Sequence, residues 1–320
     1  MLRPQSALDV CGPLALFTLV LLSTAAAVHA DEVVDQTSPA SNSDFYCSDP
    51  VNVWQQQIRA GIGGRLQKLE LVVRGPIGAE VDVRLRPSSA WSTDAPVWST
   101  HFVKTAPGSE TVQFDVESAN LILAAGDTFV VELQGNDTGA EVKGSYVHPT
   151  QGAPTYPEPL MLTVPGTYQD GGWRIGFRTW METDLSQPVC VSTANSSGSA
   201  ATLAVTGSFD LAVNDLVLRA APAPVGQPGF FVYGPESDVV LLGDGILCVG
   251  GGALGIARLP IEFVDGAGQL MHPLDVQAPP TAAFAIAPGS TWVFQAWFRD
   301  PAAGGTGFNL SDGLEITFLP

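Results

Sequence analysis

The sequence predicts an all-β protein: two β-sandwich, jelly-roll-like units in tandem behind a cleaved signal peptide. Three observations predict it. Short apolar–polar alternations recur along the chain, the period of strands that bury one face. Glycine and proline, 34 and 25 of them, punctuate those runs as turns. Charged residues make up 14% against 45% hydrophobic, a globular composition and not a disordered one. A chain of 320 residues has room for two ordinary domains.

Residues 1–30 read as a secretory signal. Arg3 supplies the positive end, PLALFTLVLLSTAAA over 13–27 the apolar stretch, and Val28-His29-Ala30 the small-residue cleavage rule. The apolar run is short for a membrane span, no cysteine stands directly after the cleavage point and the chain ends without a sorting tail. A released, secreted protein is expected, with no membrane span after cleavage. Residues 31–45 are polar and aperiodic, a flexible lead-in. Residues 46–182 form the first unit, with strands expected over 66–73, 79–85, 97–103, 111–116, 128–133, 142–147 and 173–180. Pro149, Pro154, Pro157, Pro159 and Pro165 make the stretch around 150–165 a surface loop and no central strand.

The polar run ETDLSQP marks the boundary, with a linker over 183–189. The second unit, 190–320, has strands expected over 202–206, 216–220, 229–233, 239–242, 256–263, 270–276 and 281–286. Gly250-Gly251-Gly252 lacks the lysine and following helix of a phosphate loop and reads as a bulge or turn. The chain closes on a strand pair. Trp292, Phe294, Ala296 and Phe298 alternate toward the core; Val293, Gln295, Trp297 and Arg299 face the other way. Arg299 stacked on Trp297, beside Asp300, is expected as a surface cluster that pins the following loop.

The net charge of −18 and pI near 4.3 argue against nucleic acid and against an anionic membrane surface. After signal removal Cys47, Cys190 and Cys248 remain. Cys190 and Cys248 share the second unit and are expected to bridge in an oxidising compartment. That leaves Cys47 single and able to join a partner chain; the alternative is three free thiols. No two cysteines have zinc spacing. The mature histidines are His101, His148 and His272, and neither GxSxG nor HExxH occurs, so no enzyme is expected. Asp115, Glu132, Glu262 and Asp275 are expected on solvated strand faces. Asn214-Asp215, Asp244-Gly245 and Asp312-Gly313 are the calcium candidates; none reaches the spacing of a calcium loop, so no cofactor is expected. Trp91, Trp98, Tyr156, Tyr168 and Trp173 lie off the core stripes and are the candidates for stacking a ligand, or else they cap the core.

Five stretches carry a family resemblance: CVSTANSSGSAATLAVTGSFDLAVNDLVL, GQPGFFVYGP, GDGILCVGG, WVFQAWFRDP and GFNLSDGLEITF. Through them residues 190–320 resemble a module of uncharacterised secreted proteins in environmental bacteria of planctomycete and myxobacterial type. Residues 53–182, through LILAAGDTFVVELQG and GWRIGFRTW, resemble bacterial jelly-roll modules that precede surface anchors. The resemblance implies a secreted β-rich module without an established activity. The expected function is a non-enzymatic extracellular interaction or adhesion module, with a glycan, a cell-surface polymer or another surface protein as partner. The alternatives are a structural component of an envelope or matrix, and a hydrolase whose site the sequence does not display.

Overall fold

The computed structural model describes residues 32–41, 43–46, 53–88, 92–147, 153–154, 156–163 and 172–320. The expected signal segment, Cys47, Trp91, His148 and Tyr168 lie outside the described residues. Among the described residues 55% are in strands and 3% in short helices, in several sheets without a closed barrel. The protein is all-β, with β-sandwich packing.

The first unit holds β1 (Glu32–Ser38), β2 (Ser43–Tyr46), β3 (Val53–Arg59), β4 (Gly64–Gly75), β5 (Glu80–Arg86), β6 (Trp98–Val103), β7 (Gly108–Asp115), β8 (Ile122–Leu123), β9 (Thr128–Gly135), β10 (Glu141–Tyr146), β11 (Leu160–Thr163), β12 (Trp173–Ile175) and β13 (Phe177–Glu182). One sheet runs β1-β13-β4-β10-β12, with β2 on β10 and β7 and β8 on β4; the other runs β11-β3-β9-β5-β6. Alternation builds both. Leu69, Leu71 and Val73 of β4 and Val81, Val83 and Leu85 of β5 are fully buried, and they meet Ile58, Phe129, Val131 and Leu133 in one core.

The lead-in over 31–45 is not free chain. Its β1 pairs with β13 and its β2 with β10. Asp35 fastens it, accepting from the backbone N–H of Gly61 (2.7 Å) and Ile62 (2.9 Å). Backbone pairing and one half-buried carboxylate hold the segment, and neither leaves a hydrophobic period to read. The proline stretch contributes β11, an edge strand, where proline is tolerated.

The second unit holds β14 (Ser186–Cys190), β15 (Thr202–Thr206), β16 (Val217–Ala221), β17 (Pro228–Gly234), β18 (Glu236–Leu242), β19 (Gly245–Gly250), β20 (Ala257–Phe263), β21 (Leu270–Pro273), β22 (Thr291–Arg299) and β23 (Phe308–Thr317). A five-stranded sheet, β14-β23-β22-β17-β20, faces a three-stranded one, β15-β16-β21. Phe231, Tyr233, Phe294, Phe298 and Ile316 pack against Leu218, Ala220 and Leu270 between them. The segment expected as linker enters this sheet at Ser186, with Pro188 again on an edge strand. The strand expected over 281–286 is a 3-10 turn, Ala282–Phe284, whose Phe284 carbonyl accepts from the buried Tyr233 hydroxyl (2.9 Å). Beyond the two sheets, β18 and β19 form a separate hairpin. Among the described residues no helix is long and apolar enough to cross a membrane.

Asp312 ties the two sheets of this unit together. Its carboxylate accepts from Leu203 N–H (2.5 Å) and its own N–H donates to Ala201 O (3.1 Å). Burial pushes the carboxyl up to about 6. The native state therefore holds a proton that the unfolded chain has released between pH 4 and 6, and stability falls as pH rises through that window. Asp312→Asn is expected to remove this slope. It gains about 1–2 kcal/mol relative to wild type between pH 4 and 7, after allowance for partial exposure of the group. Thermal unfolding at the two pH values reads the difference.

Candidate functional site

The structure does not gather the sequence-predicted aromatic residues into one rim. Tyr156 is 3% exposed. Its hydroxyl accepts from Arg59 N–H (2.8 Å), its ring meets Phe177 edge-on at 5.0 Å, and burial pushes the phenol up to about 12. Trp98 packs against Phe114 (6.1 Å) and Trp173 against Phe45 (5.7 Å) and Tyr146 (4.2 Å), both half-buried at the margin of the core. No ring contact among the described residues joins the three. Tyr156 is a core residue, which corrects the expectation of an open stacking ring there; Trp91 and Tyr168 are outside the described residues.

The outer face of β5 and β9 carries a charged network around Glu132. Alternation places Glu132 outward, yet it is 4% exposed and not solvated as expected. The reason is a cover: the chain after β5 folds back, burying Ser92, which exchanges hydrogen bonds with Gln55. Glu132 accepts from Gln55 (2.6 Å), from Arg84 (3.0 Å) and from two nitrogens of Arg86 (2.8 and 2.9 Å). Burial pushes its carboxyl up, but the hydrogen bonds from Arg86, Gln55 and Arg84 win and hold it below the usual range. Arg84 also pairs with Asp82, and Asp82 with His101 (2.7 Å). Among the described residues these charges pair with one another.

The outer face of the second unit's five-stranded sheet differs. Half of it is covered by the β18–β19 hairpin. The Cys190–Cys248 disulfide joins the hairpin to β14, as expected from the sequence. Gln295, fully buried, donates to Ile246 O (2.8 Å) and accepts from Cys248 N–H (2.8 Å). Gly313 allows that approach, because a Cβ there would lie 2.6 Å from the Cys248 Cβ. At the hairpin tip Gly243 has φ +64°, and a Cβ there would lie 2.2 Å from the Phe308 ring.

The other half is open and carries a ladder of rings on three strands, capped by an arginine on a fourth. Phe308 of β23 sits 5.3 Å from Trp297 of β22, Trp297 stacks on Phe230 of β17 at 4.8 Å and 18°, and the Arg258 guanidinium of β20 lies 3.8 Å over Phe230. The stacked arginine is thus Arg258, on the far edge strand, and not Arg299 on Trp297. Asp300 is no surface partner either: it is fully buried and accepts from Ser196 N–H (2.8 Å).

A bulge aims these groups. The β17–β20 register shifts between Phe230 and Val232, so Leu259-Pro260 together oppose Phe231. Strict alternation would put 258, 260 and 262 on one face. The shift instead turns Arg258, Ile261 and Phe263 outward and Glu262 inward, where it meets His272 Nδ1 at 3.0 Å. Ile261 and Phe263 stand 56% and 68% exposed. Glu262 was expected on a solvated strand face; its side chain is still 37% exposed, but the bulge turns it to the face opposite Arg258. The result is a cleft of about 500 Å³ lined by Pro228, Gly229, Phe230, Arg258, Ile261, Trp297 and Arg299. Across the β20 edge lies a groove of about 570 Å³ lined by Arg258, Ile261, His272 and Asp275 among others. Both volumes suit small-molecule or oligomer ligands.

His272 is 8% exposed and paired to Glu262, and among the described residues no hydroxyl bonds it. Among the described residues no group of three or more His, Cys, Asp or Glu side chains is arranged to hold a metal ion. The oxygens of the calcium candidates are engaged by N–H groups. Asp244 accepts from Thr306 and Gly307, which hold its carboxyl low. Asp215 accepts from Ser208 and Asp312 from Leu203.

No family model matches the chain, and no curated protein does. Among solved structures it is similar to the glycoside hydrolase domain of Endo-D from Streptococcus pneumoniae R6 at 11% identity and TM-score 0.19, covering 89% of this chain and 38% of that one. It is similar to Bacteroides uniformis β-glucuronidase 2, covalently bound to cyclophellitol-6-carboxylate aziridine, at 10% identity and TM-score 0.16, covering 85% of this chain and 27% of that one. The chain thus spans less than two fifths of either protein, and at these scores neither likeness carries an argument.

Proposed function

We propose that this is a secreted, non-enzymatic interaction module that holds a glycan or cell-surface polymer on the open half of the second unit's five-stranded sheet. The observation that supports it most is the ring ladder Phe308–Trp297–Phe230–Arg258 beside exposed Ile261 and Phe263. Monomeric proteins rarely leave apolar groups in such a row without a partner. Aromatic side chains set in a rigid sheet offer large contact area at low entropic cost. Sugars fit this chemistry because their C–H faces pack on rings while their hydroxyls bond the polar rim. The cleft and the adjoining groove share Arg258 and Ile261, so together they suit an extended chain better than a single small molecule.

Trp297→Ala is expected to weaken binding to the preferred glycan by tenfold or more, on the scale of an aromatic hot spot of about 2 kcal/mol. Trp180→Ala, on the other unit, is the control and is expected to bind normally. A glycan-array screen of the full chain followed by titration calorimetry reads both. Binding that survives Trp297→Ala unchanged would move the site elsewhere. No binding by a folded wild-type chain would favour a structural role in an envelope or matrix.

A further inference from the structure

We infer that the cleft selects a carboxylated polysaccharide, a uronate-bearing chain, whose carboxylates dock on Arg258 and Arg299. This rests on the glycan-binding reading above and adds the charge class of the ligand. From residue 183 onward the chain carries three basic residues, Arg219, Arg258 and Arg299, against twelve acidic ones. Two of those three line one cleft, and none of its seven lining residues is acidic. The Glu262 carboxylate, which strict alternation would have placed beside Arg258, is turned to the opposite face by the bulge and is engaged by His272.

The ion pairing of the molecule makes the contrast sharper. In the first unit, Arg59, Arg65, Lys68, Arg74, Arg84 and Arg86 each have a carboxylate within 4 Å. Among the described residues neither Arg258 nor Arg299 has an ion-pair partner, and both are exposed. Arg219 is likewise exposed and without an ion-pair partner among the described residues, but only Arg258 and Arg299 stand together, uncommitted, on one apolar cleft.

The geometry of Arg258 favours carboxylate. Stacking on Phe230 at 3.8 Å uses the flat face of the guanidinium. It fixes the group's plane and leaves the in-plane N–H donors at its rim free for a bidentate, planar acceptor. Ile261 and Trp297 border the same cleft and give a sugar ring an apolar surface between the two charges. The overall charge of −18 opposes an anion at long range. That repulsion is screened beyond about 8 Å at physiological salt, whereas a direct charge-assisted contact is not.

The test uses the full chain against polygalacturonate, dextran sulfate and unsubstituted dextran, in EDTA, by affinity electrophoresis and calorimetry. Wild type is expected to bind polygalacturonate and to ignore dextran. Arg258→Gln is expected to weaken polygalacturonate binding about tenfold or more. Arg258→Lys does not restore it, because a point charge cannot reproduce the fork. Arg299→Gln gives a second, independent loss, and unchanged thermal unfolding of either arginine variant separates lost contact from lost fold. Equal binding of dextran, with Arg258→Gln indifferent and Trp297→Ala impaired, overturns the charge assignment and leaves the glycan reading standing. Equal or tighter binding of dextran sulfate overturns the carboxylate assignment. No binding to any of the three by folded wild type overturns the charge inference, and a further blank on the glycan array overturns the glycan reading with it.

Discussion

Glu132→Ala is expected to cost the first unit about 3–5 kcal/mol, the range for removing one member of a buried charge network. The substitution takes an acceptor from Arg84, Arg86 and the Gln55 amide, of which Arg84 keeps Asp82 and Gln55 keeps Ser92. The loss comes from donors left without acceptors, more than from the Coulomb attraction itself. Glu132→Gln keeps the shape and one acceptor and is expected to cost less. Because the native carboxyl is held below its usual value of 4.5, its contribution is present above that pH. It disappears as pH falls through the native value. Urea unfolding at pH 7 and below pH 4 reads the effect: the gap between wild type and Glu132→Gln should narrow in acid. This slope is opposite in sign to that of Asp312, so the contributions of these two carboxyls are expected to respond to acid in opposite directions.

Removing the disulfide is the second large perturbation. Cys190 and Cys248 close a loop of 58 residues with their Cα atoms 6.0 Å apart. In the chain-entropy account such a loop contributes about 4 kcal/mol. Cys190→Ser with Cys248→Ser is expected to lower the unfolding free energy by about that amount, measured by denaturant unfolding of the second unit's tryptophan signal. The double variant also unfastens the β18–β19 hairpin from β14, leaving the Gln295 contacts and the Asp244 turn to hold it. Amide exchange in β19 is therefore expected to quicken more than in β22, and proteolysis is expected to start within 236–250.

Much of the fold was legible because strand alternation is local. The period in β22 placed Trp297 and Arg299 opposite Phe294 and Phe298, and they lie there. The bridge between Cys190 and Cys248 followed from two thiols in one unit of a chain whose first thirty residues read as a secretory leader. What alternation cannot show is phase slip and cover. Arg258 reaches Phe230 because Pro260, at a bulge on an edge strand, shifts the register by one residue. The same slip sends Glu262 inward. Glu132 follows the alternation and is buried anyway, because a loop distant in sequence returns over it. Phe230, Trp297 and Phe308 stand far apart in sequence and become neighbours only through the strand order β23-β22-β17-β20. The aromatic residues chosen from loop position alone lacked that information, and Tyr156 turned out to be core.

The proposed ligand site is the ring ladder of the second unit. The most direct measurement is a titration of the ¹⁵N-labelled full chain with the glycan it binds, following the tryptophan indole and arginine Nε–H resonances. The account predicts that Trp297 and Arg258 shift and saturate together while Trp98, Trp173 and Trp180 stay in place. Shifts at Trp98 or Trp173 with Trp297 unmoved would contradict it and return the site to the first unit.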